Sequence, residues 1–266
     1  MAGRRGHPKH LEQRATADYD VSMRIRIAQF AIQRDLAYNL RHILAVLGAA
    51  QPGEMVVFAE GALSGYAPKD PAYTDRLDAA AIEDAIGTIK TRVQAAGCRC
   101  LLGSATRDAH HWRNTVLMFD DDRDPARYFK TELSGLDRRH FDPGPSAGGV
   151  LPAGEATIGI VACRELLFPA VWTQMKNRGA EVVCHLNNAI EPHDALWTHL
   201  LIARAIEQSV FVCSVNNAAA PQALPSMLIA PSGHVILQTE VQTDQTLAAE
   251  IDPADAIADL ATRTDY

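Results

Sequence analysis

The sequence predicts an α/β fold in which helices layer onto mixed sheets. Three observations point there. Apolar runs of strand length recur along the chain, among them Met55 to Phe58, Thr157 to Ala162 and Val210 to Val215. Longer stretches with helical periodicity lie between several of them, which favours parallel strand neighbours. Turn signals such as Pro231-Ser232-Gly233 join other runs closely enough for hairpins, which favours antiparallel ones. No linker-like composition interrupts residues 23–266, so they are read as a single domain.

Met23 to Phe30 alternates and is rich in Ile, giving a first strand. Asp35 to Leu47 has helical spacing and ends near Gly48. Met55 to Phe58 is a short buried strand that runs into Ala59-Glu60-Gly61. Asp78 to Ala96 reads as a helix closed by Gly97. Cys98 to Ser104 and Asn114 to Phe119 are strands, Asp120 to Asp124 is a tight acidic turn, and Ala126 to Phe129 is a strand that stops at Lys130. A Gly/Pro-rich loop covers Ser134 to Gly149. The strand ending at Cys163 precedes a helix from about Pro169 to Arg178, closed by Gly179. Glu181 to Leu186 is a buried strand ending at Asn187-Asn188, Trp197 to Gln208 a helix, and Val210 to Val215 a strand ending at Asn216-Asn217. Ser226 to Ala230 and His234 to Leu237 form a last hairpin.

The totals exclude several classes. A net charge of −7 and a pI near 5.8 do not supply the concentrated positive face that nucleic acid requires. No apolar run approaches the roughly 20 residues of a membrane span. Cysteines 98, 100, 163, 184 and 213 are odd in number and sit largely in apolar strands, which suits a reducing cytoplasm better than a disulfide framework. Cys98-Arg99-Cys100 lacks the spacing and the second pair of a zinc site, and no metal is expected. Residues 1–22 are basic and poor in apolar side chains, with no secretory apolar run. They are read as a flexible tail, with Met23 as an alternative start.

Three chemically able residues lie where apolar strands meet loops: Glu60, Lys130 and Cys163. Alone, each has an ordinary reading: a solvated carboxylate, an edge lysine, a packed thiol. Together they fit a nucleophilic cysteine with a carboxylate base and a cationic stabiliser. A free thiol is mostly protonated at neutral pH, so a base must take its proton. An ammonium and a backbone N–H after Cys163 would steady a developing oxyanion. The charged pair Arg164-Glu165, directly after an apolar strand, is read as the sign of a strand ending at a pocket.

These blocks resemble the nitrilase, or carbon–nitrogen hydrolase, superfamily over nearly the whole chain after Met23. Phe58-Ala59-Glu60-Gly61-Ala62-Leu63-Ser64-Gly65-Tyr66 is similar to its glutamate block. Tyr128-Phe129-Lys130-Thr131-Glu132-Leu133, followed by Phe141-Asp142-Pro143-Gly144, is similar to its lysine block, and Ile158 to Pro169 to its cysteine elbow. Ala203-Arg204-Ala205-Ile206-Glu207 and Ser226 to Gly233 resemble two later blocks. The resemblance implies an αββα sandwich that forms a homodimer or higher homo-oligomer. It implies hydrolysis of a non-peptide C–N bond through a thioester, with Glu60 as base and then acid, Lys130 as stabiliser, Cys163 as nucleophile and no cofactor. The expected substrate is a small amide or N-carbamoyl compound. Nitrile hydrolysis, acyl transfer and a non-catalytic binding role are the alternatives.

Where the family often carries a second glutamate, this chain has Leu136-Asp137-Arg138, which makes Asp137 the candidate carboxylate to bind the substrate or orient Lys130, with Glu132 nearer to the lysine. Arg138, Arg139 and Arg164 concentrate positive charge near the site. They are read as solvated or paired with Asp137, Glu165 and Asp142, or, for one of them, as binding a substrate carboxylate. Asn187, Asn188 and Trp197 are candidates for the pocket wall. Arg204 and Glu207, three apart on a helix, are expected to form a structural ion pair, and Cys184 and Cys213 to be packing residues.

Overall fold

Two six-stranded mixed sheets pack face to face in the computed structural model, which describes residues 22–120, 123–189 and 194–256. The expected tail therefore lies outside the described residues, apart from Ser22. The first half of the chain supplies β1 (Met23–Gln29), α1 (Leu36–Gly48), β2 (Met55–Phe58), α2 (Ala79–Ala96), β3 (Arg99–Asp108), β4 (His111–Phe119) and β5 (Ala126–Phe129). The second half supplies β6 (Gly149–Ala153), β7 (Ala156–Ala162), α3 (Pro169–Asn177), β8 (Val182–Leu186), α4 (Asp194–Gln208), β9 (Phe211–Val215), β10 (Met227–Ile229), β11 (Val235–Gln238) and β12 (Gln245–Ile251). The strand orders are β12-β1-β2-β3-β4-β5 and β11-β10-β9-β8-β7-β6. In each sheet three successive strands are parallel, β1-β2-β3 and β7-β8-β9, and the flanking strands are antiparallel.

Local chemistry sets the helix ends. Asp35 caps α1 by accepting the Tyr38 N–H at 2.9 Å, and Asp78 caps α2 by accepting the Ala80 and Ala81 N–H groups at 3.0 and 3.1 Å. Gly97 closes α2 at φ 62°, and Pro169 stands in the first turn of α3.

Side-chain alternation divides the second sheet between two cores. Ile158, Ile160, Cys184, Leu186, Phe211, Cys213 and Val215 join the core that also holds β1 and β2. Their neighbours Val161, Val183 and Val212 pack instead with Trp172, Met175, Trp197, Leu201 and Ala205 of α3 and α4. The layers are thus helix, sheet, sheet, helix, as the resemblance implied. Cys184 and Cys213 are fully buried packing residues, and Arg204 donates to Glu207 at 2.7 Å.

Two strands escaped the sequence reading. β6 begins at the last residue of the stretch read as loop and runs beyond it. It is an edge strand, which is where its Pro152 is tolerated. β12 pairs with β1 at the edge of the first sheet and is only half-buried, so its alternation is weak. The Asp120 to Asp124 turn is described only in part.

Candidate active site

The ends of β2, β5 and β7 deliver Glu60, Lys130 and Cys163 to one place. Glu60 follows β2 by two residues, and its N–H donates to the Asn187 carbonyl just past β8. Gly103 on β3 makes room for this bend: a Cβ there would stand 2.5 Å from the Gly61 nitrogen and 2.7 Å from the Glu60 Cα. Lys130 follows β5, and Gly144 approaches that strand end closely, since its Cβ would meet the Phe129 carbonyl oxygen at 2.2 Å. Both glycines are required by backbone packed against the turns that carry Glu60 and Lys130.

Lys130 is the hub. Its Nζ donates to Glu60 Oε1 at 2.8 Å and to Asp137 Oδ2 at 3.1 Å, and all three side chains are buried. Asp137 also accepts from the Ser134 N–H at 3.0 Å and from the Tyr66 hydroxyl. Its two oxygens are thus occupied by groups of the protein, and Asp137, not Glu132, is the carboxylate that meets Lys130 beside Glu60. Asn114 Nδ2 donates to Glu60 Oε1 at 2.8 Å. Glu60 Oε2 is buried and accepts nothing among the described residues. One oxygen of Glu60 is held and the other is available to a reactant.

Burial drives the titration of this cluster. It raises Glu60, and the nearby Asp137 charge adds to the rise, while Lys130 opposes it. Burial alone would lower Lys130, but the charges of Glu60, Cys163 and Asp137 together raise it, so the ammonium persists. Asp137 stays ionised below its usual range because Lys130 and its hydrogen bonds outweigh its burial. Burial and the Glu60 charge push the Cys163 thiol well up, against the pull of Lys130 and of a hydrogen bond from the Asn188 N–H. Cys163 therefore rests as a thiol next to a base more basic than an ordinary carboxylate, instead of as a standing thiolate.

Cys163 sits at φ 45°, in the left-handed region that a side chain with a Cβ rarely adopts. Such a residue costs on the order of 1–3 kcal/mol and persists only where its surroundings fix it. Here it begins a short 3-10 turn, Cys163–Leu167, directly after β7. The residue as a whole is half-buried, whereas the other four cysteines are buried.

Glu165 corrects the reading of the charged pair after the strand. It is fully buried. Its Oε1 accepts from the Tyr128 hydroxyl at 2.6 Å, the Thr131 N–H at 2.8 Å and the Thr131 hydroxyl at 2.9 Å, and its Oε2 accepts from the Ala162 N–H at 2.7 Å. One carboxylate ties the residues on both sides of Lys130 to the residue before Cys163. Arg164 is half-buried, with its guanidinium 5.5 Å from the centre of the Phe168 ring. Arg138 and Arg139 are exposed. Of the two readings, solvated or paired, Arg138 and Arg139 take the solvated one: Asp137 and Glu165 serve the partners just named, and Asp142 meets His111 at 2.6 Å.

A cavity of about 390 Å³ is lined by Tyr66, Leu136, Asn188 and Gln222, with Arg34 and Lys69 also on its wall. Asn188 lines this cavity, and its backbone N–H donates to the Cys163 thiol. Its side-chain oxygen accepts from Gln222. Asn187 is fully buried, and neither atom of its side-chain amide is hydrogen-bonded among the described residues. Trp197 is packed in the helix-side core instead. Tyr66, Asn114 and Gln222 were not singled out from sequence. Tyr66 at least stood at the end of the glutamate block, and Asn114 was a polar residue opening an apolar strand.

The family model for carbon–nitrogen hydrolases matches residues 24–259. The chain belongs to the carbon–nitrogen hydrolase family. An (R)-stereoselective amidase of a Pseudomonas species is 27% identical over 248 residues, covering 86% of this chain and 89% of that protein. A Mycobacterium tuberculosis protein named only as a hydrolase is also 27% identical, over 92% of this chain and 96% of its own length. Among solved structures, an amidase of Nesterenkonia sp. from the nitrilase superfamily superposes with a TM-score of 0.77 at 20% identity, covering 92% of this chain and 97% of that one. A carbon–nitrogen hydrolase of Xanthomonas campestris, with an arsenic adduct in its active site, reaches 0.78 at 21% identity over 92% and 95% of the two chains. These likenesses establish the αββα fold of the family.

Proposed function

We propose that this carbon–nitrogen hydrolase acts on a small-molecule amide, with Cys163 as nucleophile, Glu60 as general base and acid, and Lys130 as electrostatic stabiliser. One observation carries the assignment. A partly exposed cysteine, held in a left-handed turn, is under the charges of a buried carboxylate with one unoccupied oxygen and of a buried ammonium.

The chemistry follows from the site. Glu60 Oε2 takes the thiol proton as Sγ bonds to the amide carbonyl carbon. The oxyanion is stabilised by Lys130 and by the Arg164 N–H, which has no intrahelical acceptor at the start of its turn. Glu60 returns the proton to the departing nitrogen, and ammonia or an amine leaves. Water, deprotonated by Glu60, then adds to the thioester and the carboxylic acid is released with the thiol restored. Asp137 keeps Lys130 aimed, and Asn187 and Asn188 contact the substrate. A buried amide with no partner costs on the order of 1–3 kcal/mol, and an amide or ureido group of the substrate would offset that.

Two relatives support an amide over a nitrile. One is the stereoselective amidase. The other is a glutamate-to-glutamine mutant of the Nesterenkonia amidase, described as showing covalent addition of the acetamide moiety of fluoroacetamide at the active-site cysteine. The test is ammonia release from a panel of small amides, N-carbamoyl amino acids and nitriles. Release from amides that is at least tenfold faster than from nitriles is expected. Release from nitriles alone, or from none of the panel, would overturn the proposal. In the same assay, Arg138→Ala and Arg139→Ala are expected to stay within about twofold of the parent, since both side chains point to solvent.

A further inference from the structure

The strained elbow at Cys163 has a support that the proposed reaction does not use. His185 on β8 is fully buried, and its Nε2 lies 2.9 Å from the Cys163 carbonyl oxygen. Its Nδ1 lies 2.9 Å from the hydroxyl of Ser214, which is also fully buried, on β9. The register places Val161, His185 and Ser214 side by side across β7, β8 and β9. All three side chains face the helix layer, where the His185 and Trp197 rings stand 6.0 Å apart.

Hydrogen-bond logic fixes the tautomer. A carbonyl only accepts, so Nε2 must carry the proton and Nδ1 must accept from the Ser214 hydroxyl. Burial, reinforced by the Lys130 charge, lowers the imidazole to about 4 despite the favourable Cys163 carbonyl, so this neutral form is the resting one. The Cys163 carbonyl and the Arg164 N–H belong to one planar trans peptide and point to opposite sides of it. Holding the carbonyl on His185 therefore turns the Arg164 N–H away from β8. A flip of that peptide, which turns ψ of Cys163 and φ of Arg164 together, would set an N–H against the imidazole N–H.

We infer that His185, locked by Ser214, is a positioning residue that holds the 163–164 peptide so that the Cys163 thiol and the Arg164 N–H stay aimed at the reacting carbonyl. The inference rests on Cys163 being the nucleophile. It makes His185 the partner that fixes the peptide leaving the left-handed cysteine, with no contact to substrate.

The test compares His185→Gln, His185→Leu and Ser214→Ala with the parent. A glutamine amide places a donor near the Nε2 position, whereas leucine keeps apolar bulk and removes the donor. Misplacing a reacting group by about 1 Å costs on the order of 100-fold, so His185→Leu is expected to lose about that factor in kcat with KM within about threefold. His185→Gln is expected to recover kcat to within about tenfold of the parent, and Ser214→Ala to lose about three- to tenfold. The second-order rate of Cys163 alkylation by iodoacetamide, read by peptide mass, is expected to fall in the same order. That readout does not depend on which substrate is correct, so it separates failure of this inference from failure of the amidase assignment. Equal kcat in the parent and His185→Leu would overturn the inference, as would equal losses in the Leu and Gln variants or a loss confined to KM. Should His185→Leu not fold, the Gln and Ser214→Ala variants decide: a glutamine variant more than 100-fold impaired, or an alanine variant with unchanged kcat and alkylation rate, would overturn it.

Discussion

Glu60→Gln is expected to lower kcat by a factor on the order of 10²–10⁴ while leaving the melting temperature within a few degrees. That range is typical for removal of a positioned general acid–base. The substitution keeps the size of the side chain and an oxygen able to accept from Lys130 and Asn114, which hold Oε1 at 2.8 Å each. What disappears is the proton acceptor at Oε2. The parent should lose kcat/KM on the acid side as pH falls through a value above the usual carboxylate range, because burial raises Glu60. In the glutamine variant that limb should vanish. A steady-state pH profile of both proteins checks this. A variant with more than about a tenth of the parent kcat would show that another group takes the thiol proton.

Lys130→Met is expected to abolish measurable turnover and to destabilise the fold by about 3–5 kcal/mol, because it leaves buried charge unpaired. Glu60 and Asp137 would then face one another without the ammonium that now joins them at 2.8 and 3.1 Å. The sign of the pH dependence follows. In the parent, the lowered Asp137 contributes stability that is present at neutral pH and is lost as pH falls through its folded value. In the variant, both carboxylates would bind protons more tightly folded than unfolded, so acid would favour the folded state. Denaturant melts should therefore show the gap between the two proteins widest near neutral pH and narrowing toward acid. A constant gap across that range would contradict the buried charge network.

The chemical residues were legible because each interrupts an apolar run at a strand end, and the fold because strand and helix periodicities alternate. The polar supports were less legible. His185 and Ser214 look like minor breaks in apolar strands, and nothing local reveals that they meet the carbonyl of a residue 22 positions away and each other. Glu165 misled for the opposite reason. A charge beside a strand end suggests solvent, yet its four short acceptor contacts satisfy it inside the protein. For the arginines near the site, sequence left solvation and pairing open, and Arg138 and Arg139 are exposed because the carboxylates nearest to them are committed to other donors. Edge strands β6 and β12 carry half-buried, irregular patterns, which periodicity detects poorly.

The most direct test of the account is peptide mass spectrometry on enzyme quenched in acid during turnover of its best amide. The account predicts an added acyl mass on the peptide containing Cys163, removable by hydroxylamine, and none on Cys184 or Cys213. Turnover of the amide with no acyl group on Cys163 would contradict it.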